Sequence, residues 1–285
     1  MKKTLATVLT TVLALATTTG AATTNDDNAY KQLIDDHASS IVTVKFVMNV
    51  SMGGGGGGMD REIPVEIDGI VVSDDGLIMI PGAPMDMANQ MRRQMRGRRG
   101  GRGGGGGGGM PDMEIEASPT DIRVVMGDDF EEYDAVLAAK DSTLQLAFVM
   151  LEDTEDLKLS PLKLDADSEP GIGEELLALA RLNEEYDYAP YFATVQITGS
   201  VNQPRRMWCI STQLFSPGLP VFNHAGAFIG IMGDGTSGGD DAGMGGMMGG
   251  QSGYPFLIPV KQVAPIVKQA HERGKAIVTG EGAGA

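Results

Sequence analysis

The sequence predicts an all-β protein in which two antiparallel β-structures lie side by side, with short helices only near the two ends. Short segments rich in β-branched and other apolar residues recur along the chain, and turn residues separate them. Helical spacing is confined to two segments, one before and one after the strands. A polar connector between Leu151 and Ile172, with Pro161 and Pro170, divides the strands into two groups. Barrels and sandwiches both satisfy this pattern, since strand periodicity is the same in each.

Length and composition are compatible with such a fold. The 285 residues allow one large or two small domains, and a hydrophobic content of 42% is enough for a core. The 41 glycines are clustered, so they indicate insertions between strands and not a fibrous chain. A net charge of −16 argues against a specific nucleic-acid-binding surface, and solubility explains it. Cys209 is the only cysteine, so no intrachain disulfide can form.

The first 22 residues predict a secretory signal peptide. Met1-Lys2-Lys3 is a basic start, Leu5 to Ala16 is apolar, and small residues follow. We expect cleavage after Ala21 or Ala22 and export to the periplasm or the extracellular space. A membrane anchor is the alternative, but the apolar part is short and rich in threonine. No later stretch is as apolar, so we expect no membrane span.

Strand signals begin soon after this segment. Tyr30 to Ser39 has helical spacing, and Ile41 to Val50 alternates as a strand does. Gly69 to Ile80 predicts a hairpin whose turn is Asp74-Asp75-Gly76. Four more segments predict strands in this half: Glu62 to Ile67, Asp121 to Met126, Asp134 to Ala139 and Leu144 to Leu151.

The second half ends with a hairpin, a strand and a helix. In Phe215 to Ile231 (FSPGLPVFNHAGAFIGI), prolines and a glycine fix a bend, and Val221-Phe222 and Ala227 to Ile231 predict a hairpin. A closing helix is expected from Val260 to Arg273, with Gly274 as its stop signal. Four further segments predict strands: Glu175 to Leu182, Tyr191 to Ser200, Met207 to Ser211 and Phe256 to Val260.

Three glycine-rich insertions interrupt the strands, at about 52–60, 85–113 and 235–253, and their composition predicts disorder. The second contains six arginines, which could make weak anion contacts: Arg92, Arg93, Arg96, Arg98, Arg99 and Arg102. One interpretation is a flexible loop whose arginines lie along the chain's own acidic surface. The other is a tether for nucleic acid, lipid head groups or an acidic protein. No aromatic residues alternate with the arginines, so base stacking has no support.

Three segments, in order, resemble the bacterial HtrA/Deg branch of the trypsin-like serine proteases. GIVVSDDGLIMIPGAP (69–84) resembles the hairpin leading into the catalytic histidine. YDAVLAAKDSTLQLAFVML (133–151) resembles the strand pair that carries the aspartate, and the 215–231 segment resembles the nucleophile loop and its hairpin. PYFATVQITGSV and the closing YPFLIPVKQVAPIVKQAHERGK extend the resemblance over about residues 30–274, outside the insertions.

The resemblance implies two trypsin-like six-stranded antiparallel β-barrels. The first is expected in residues 23–160 and the second, with the closing helix, in residues 161–274, followed by a flexible tail at 275–285. We expect no PDZ domain after them, because only about ten residues follow Gly274.

The resemblance also implies that all three catalytic groups are replaced. Ala83 matches the histidine, Gln145 matches the aspartate and Pro217 matches the serine. Proline has no N–H, so a donor to the oxyanion would be lost with the hydroxyl, at a cost of about 3 kcal/mol. Phe215 replaces a small glycine, so the loop Phe215, Ser216 and Pro217 would not form an oxyanion hole. The family's own mechanism is therefore excluded if these positions correspond.

No other constellation of residues predicts catalysis, a metal or a cofactor. His37, His224 and His271 are expected at the surface, and no pair of them has metal-ligand spacing. We expect Cys209, a lone cysteine with no histidine nearby in the sequence, to be a small buried residue and not a nucleophile. Runs of carboxylates typically form a solvated surface.

We expect an exported, non-catalytic HtrA/Deg-like protein, a pseudoprotease that binds polypeptides as a chaperone-like or scaffold module. Two alternatives remain open. The chain could be a hydrolase or serine-type endopeptidase that uses another nucleophile, Ser216 or Ser211. It could also be a regulatory subunit of an active protease of the same fold.

Overall fold

A computed structural model describes eight stretches of the chain: residues 24–53, 59–89, 91–92, 114–126, 130–165, 169–214, 216–234 and 255–280. The signal segment, most of each predicted insertion and five of the six arginines of the second insertion lie outside these residues. Arg92, the sixth, donates a hydrogen bond to the backbone oxygen of Ile115.

The first barrel closes through six antiparallel strands in the order β1-β2-β3-β6-β5-β4. Alternate apolar side chains along β1, such as Val44, Phe46 and Met48, are buried inside it, as the sequence pattern indicated. β2 is one continuous strand, whereas the sequence indicated two segments there. The strands are β1 (Ile41–Gly53), β2 (Met59–Val71), β3 (Leu77–Pro81), β4 (Glu114–Val125), β5 (Glu132–Asp141) and β6 (Leu146–Leu151).

The second barrel also closes through six antiparallel strands, in the order β10-β11-β12-β9-β8-β7. Its core includes Leu176, Val195, Trp208 and Leu257. Two closed six-stranded barrels confirm the predicted fold class. The strands are β7 (Glu175–Arg181), β8 (Pro190–Val201), β9 (Met207–Thr212), β10 (Pro220–Phe222), β11 (Phe228–Asp234) and β12 (Pro255–Pro259).

Helix α1 (Thr24–His37) leads into the first barrel but packs against the second. The Tyr30 ring stacks on Phe192 with centroids 4.8 Å apart, and the His37 ring stacks on Phe222 at 4.6 Å. His37 Nε2 donates a hydrogen bond of 2.9 Å to the carbonyl oxygen of Gly226. His37 is half-buried by these contacts, so the expectation of a surface position is wrong for this residue.

Helix α2 (Val260–Val278) closes the chain by crossing back onto the first barrel. The prediction that Gly274 ends this helix is wrong, since the helix continues for four residues beyond it. Gly274 is buried, and a Cβ placed on it would lie 3.2 Å from the Cβ atoms of Ala138 and Met150. The glycine therefore permits close packing of α2 on β5 and β6 and does not cap the helix. No helix of the described residues is long and apolar enough to span a membrane.

Asp75, in the turn between β2 and β3, fastens α2 to the first barrel. His271 Nε2 lies 2.6 Å and Lys275 Nζ 2.7 Å from its carboxylate oxygens, and Ser73 Oγ donates to it at 2.6 Å. Burial raises the pKa of Asp75, but the hydrogen bonds from Lys275, Ser73 and His271 outweigh it and lower the pKa to about 2. His271 is thus a half-buried partner of a carboxylate and is not fully exposed as the sequence indicated.

Candidate functional site

Two of the three segments that resemble the catalytic elements meet at the end of β3. The Gly82 N–H donates a hydrogen bond of 2.6 Å to the backbone oxygen of Gln145. A Cβ on Gly82 would lie 2.6 Å from the Gln145 carbonyl carbon, so only glycine permits this approach. Ala83 follows directly and begins a short 3-10 turn, Pro84–Asp86. The positions that match the histidine and the aspartate are therefore neighbours.

The third segment, before β10, reaches the same place from the second barrel. Gly218 has a φ of +89°, and a Cβ there would lie 3.0 Å from Pro81 Cγ. The Gly218 N–H donates to the Met232 oxygen at 2.8 Å, and the Met232 N–H donates back to Leu219 at 2.9 Å. These two bonds hold Gly218, the residue after Pro217, at the boundary between the barrels and against Pro81, which precedes Gly82.

The three positions bring little chemistry to this junction. Ala83, Gln145 and Pro217 are all half-buried and offer a methyl group, an amide and a pyrrolidine ring. None of these groups can attack a carbonyl or transfer a proton near neutral pH. Pro217 also lacks an N–H to direct at an oxyanion. Phe215 lies outside the described residues, so the prediction made for it stays a prediction.

The histidines lie away from this junction. His37 bonds the turn at Gly226, His271 bonds Asp75, and the exposed His224 lies 3.8 Å from Glu175. Within the part of the chain that the structure describes, no three His, Cys, Asp or Glu side chains are grouped as a metal site requires. Ser211 is exposed on β9 and pairs with Gln196 of β8.

A groove of about 200 Å³ opens beside the junction, between the two barrels. Eight residues line it: Thr43, Glu66, Ile67, Asp68, Arg181, Leu182, Asn183 and Ser216. The first four come from β1 and β2 of the first barrel, and the next three come from the end of β7 and the residues after it. Ser216 is contributed by the segment that resembles the nucleophile loop. Of the two candidate nucleophiles, Ser216 lines the groove and Ser211 does not.

Arg181 is the buried cation of this groove. Its guanidinium donates to the backbone oxygens of Ile41 and Ala38, both at 2.6 Å, and to that of Tyr188 at 2.9 Å. Ile41 begins β1 of the first barrel and Tyr188 lies between β7 and β8 of the second. The side chain thereby ties the two barrels together at the groove floor.

Asp68 is the groove's half-buried carboxylate, and it accepts a 3.3 Å hydrogen bond from the Arg181 backbone N–H. Burial raises the pKa of Asp68 to about 6; Arg181 opposes the rise, and the neighbouring Glu66 adds to it. Burial and the Asp68 charge likewise raise the pKa of Tyr191. A carboxylate with a pKa near neutrality can accept a proton at physiological pH, which an ordinary aspartate does poorly.

Lys45 bridges the barrels at the outer end of the groove. Its ammonium lies 3.1 Å from both Glu132 of the first barrel and Glu184 of the second. The same ammonium lies 5.5 Å from the centroid of the Tyr188 ring. Hydrogen bonds to Tyr188, Glu184 and Glu132 raise the pKa of Lys45, although its partial burial opposes the rise.

Asp68→Asn is expected to stabilise the protein at pH 7 by about 2 kcal/mol. The folded pKa of about 6 exceeds the ordinary value of 3.8, so between pH 4 and pH 6 the folded state holds a proton that the unfolded state has released. The free energy of unfolding therefore falls as pH rises through that window, and the asparagine removes this loss. Urea unfolding at several pH values measures both effects.

The exposed Asp156 offers a matched control, because Asp156→Asn removes a surface carboxylate without changing the groove. If Asp68→Asn unfolds with the same pH dependence as the parent chain between pH 4 and pH 6, Asp68 is not the group that titrates there.

The whole fold is similar to solved structures of HtrA-type proteases. The chain is similar to Deg5, with a TM-score of 0.52 and 14% identity, covering 84% of this chain and 92% of that one. It is also similar to the HtrA-type protease AlgW with a decapeptide, with a TM-score of 0.51 and 16% identity, covering 86% and 68%. Identities this low show the fold alone, the trypsin-like double barrel. No family model matches the chain, and no curated protein matches it.

Proposed function

We propose that this chain is an exported, non-catalytic relative of the HtrA-type proteases that binds polypeptides as a chaperone-like or scaffold module. One observation carries the proposal. The segments containing Ala83, Gln145 and Pro217 converge at the junction of the two barrels, where the fold would place a catalytic triad. The side chains at these three positions are a methyl group, an amide and a pyrrolidine ring, and their lack of a nucleophile or a base supports an architecture kept without the chemistry.

A hydrolysis assay tests the non-catalytic half of the proposal. Purified protein lacking residues 1–22 is expected to leave casein and fluorogenic peptides uncut, while unfolded casein labelled with a fluorophore shows increased anisotropy on binding. Peptide turnover that a serine-directed inhibitor abolishes would contradict the proposal. Anisotropy that stays flat with unfolded casein would contradict the binding half.

Export is tested separately by fractionating cells that express the full chain. Release of a shortened protein outside the cytoplasm, with its new N-terminus near residue 23, is the expected result. Retention of Met1 in the mature protein would contradict the proposed signal peptide.

A second candidate function, hydrolysis through Ser216, is favoured by one observation. Ser216 lines the same groove as Asp68, whose pKa is raised by burial to about 6, the range of a general base. A fluorophosphonate probe would then label the protein, and Ser216→Ala would abolish the labelling. Ser211→Ala is the control, because Ser211 is exposed on β9 and does not line the groove. Absence of labelling in the parent chain would rule out this candidate.

A further inference from the structure

We propose that a basic polypeptide segment rich in arginine binds an acidic and aromatic surface between the two barrels, at the outer end of the groove. We define this surface by its exposed apolar residues, Phe130, Leu182 and Tyr186, and by its carboxylates, Glu66, Glu132 and Glu184. The inference rests on the proposed function and adds to it a binding surface and the chemistry of the partner.

Two segments that carry exposed large apolar side chains meet here, residues 130–132 and residues 182–188. Phe130 is 49% exposed, Tyr186 60% and Leu182 37%, which places them among the few large apolar side chains left open to solvent in the described residues. The Phe130 ring lies 5.9 Å from the ring of Tyr188, which is itself buried. Tyr186 precedes Tyr188 by two residues in the same turn. Exposed aromatic side chains beside a groove are typical of protein-binding surfaces.

Phe130 has an unfavourable backbone conformation. Its φ of +57° lies in the left-handed region, which costs a non-glycine residue about 1 kcal/mol. Half of the ring is exposed, so burial returns only part of the hydrophobic stabilisation that a core phenylalanine provides. Asn or Gly would suit this backbone better. Folding stability therefore does not account for a phenylalanine here, whereas a contact with a partner does.

The charge around these rings is negative and only partly neutralised. Glu66 and Asp68 line the groove together with Arg181, while Glu132 and Glu184 flank it and both pair with the ammonium of Lys45. Arg123 also interacts electrostatically with Glu132. Three more exposed carboxylates lie in the adjoining segments of the chain: Glu131, Glu185 and Asp187. Among the described residues, these seven carboxylates outnumber the three cations near them, Lys45, Arg123 and Arg181, and the net charge of −16 adds a long-range field of the same sign.

Arginine is the side chain that complements this surface most completely. Its planar guanidinium stacks on aromatic rings and forms paired hydrogen bonds with carboxylates. The negative potential repels phosphate backbones, so a nucleic acid would be disfavoured. A polypeptide segment with alternating arginine and apolar residues would place cations on Glu132 and Glu184 and apolar groups on Phe130 and Tyr186.

The test uses a fluorescein-labelled peptide of alternating arginine and leucine, titrated against the full mature chain at low and at physiological salt. Phe130→Asn is expected to weaken binding about tenfold while leaving the melting temperature unchanged or higher, because asparagine tolerates the positive φ. The double variant Glu132→Gln/Glu184→Gln is expected to weaken binding by a similar factor and to reduce its salt dependence.

Two matched controls come from the other end of β7 and from the residues just before it. Ile172→Asn removes an apolar side chain that is 71% exposed, and Glu175→Gln removes an exposed carboxylate. Both controls are expected to bind the arginine–leucine peptide as the parent chain does. A peptide with glutamate in place of arginine is expected not to bind.

Several results would overturn the inference. Equal binding by Phe130→Asn and the parent chain, or equal affinity for the glutamate peptide, would show that this surface does not select a basic segment. A dimer that Phe130→Asn converts to a monomer would assign the surface to a second copy of the chain. Binding that emerges only after the six arginines of residues 92–102 are replaced by glutamine would assign it to the chain's own segment.

The same experiments separate failure of this inference from failure of the proposed function. If unfolded casein binds the parent chain but the arginine–leucine peptide binds the parent chain and Phe130→Asn equally, the polypeptide-binding function stands and only the surface is wrong. If neither casein nor the arginine–leucine peptide binds, both proposals fail.

Discussion

Arg181→Met is expected to lower the free energy of unfolding by about 4 kcal/mol. Methionine fills a similar volume but donates no hydrogen bond, so the backbone oxygens of Ala38, Ile41 and Tyr188 all lose this donor. Arg181 itself is 7% exposed, and little water can replace the lost bonds. Since those oxygens belong to both barrels, the substitution also weakens the coupling between them.

Urea unfolding followed by two probes measures the loss. Trp208, the only tryptophan, is buried in the second barrel and reports on it alone, whereas far-ultraviolet circular dichroism reports on both barrels. In Arg181→Met the two transitions are expected to separate. Arg273→Met is the control, because Arg273 is exposed on α2 and its loss should cost less than about 0.5 kcal/mol. If Arg181→Met lowers the free energy of unfolding by no more than this control, Arg181 does not link the two barrels as proposed.

Local pattern was sufficient to predict the strands, whereas the choice of barrels over sandwiches came from the resemblance to a known family. Along Ile41 to Val50 the buried residues Val42, Val44, Phe46 and Met48 alternate in the sequence as they do in β1. Turn residues such as Asp74, Asp75 and Gly76 mark where strands end, because aspartate and glycine favour turn conformations wherever they occur. The proximity of Gly82, Gln145 and Gly218 is different, because strand pairing across the chain produces it. Only the ordered resemblance to a known fold could anticipate that proximity.

The groove could not be anticipated in the same way. Arg181 ends the apolar strand ELLALAR, where an arginine ordinarily extends into solvent, and Asp68 lies in EIDGI among other surface carboxylates. The two residues are 113 positions apart and meet because β2 and β7 belong to adjacent barrels. Burial, which gives Asp68 its raised pKa, is a property of the assembled fold. Gly274 failed as a stop signal for the same reason, since packing against Ala138 and Met150 outweighed its low helix propensity.

Gly230, like Gly274, is a glycine that close packing requires, and we expect its replacement to have a large effect on stability. It lies in β11 opposite Pro259 of β12, and the pairing of these two strands helps to close the second barrel. A Cβ on Gly230 would lie 2.1 Å from the backbone oxygen of Ile258 and 3.0 Å from its carbonyl carbon. Backbone cannot move aside as a flexible side chain does, so β11 and β12 would have to separate.

Gly230→Ala is therefore expected to destabilise the protein by about 3 kcal/mol, measured as a lower urea midpoint of Trp208 fluorescence. Met232, two residues along β11, holds the Gly218–Leu219 backbone, so the displacement should also expose the 216–219 loop to proteolysis. Gly199→Ala is the control, because the nearest atoms to a Cβ on Gly199 would be those of Cys209, at an ordinary contact distance of 3.8 Å. Equal midpoints for the two variants would show that β11 and β12 can tolerate the methyl group. A lower midpoint and faster proteolysis in Gly230→Ala alone would show that the conformation of the 216–219 loop depends on closure of the second barrel.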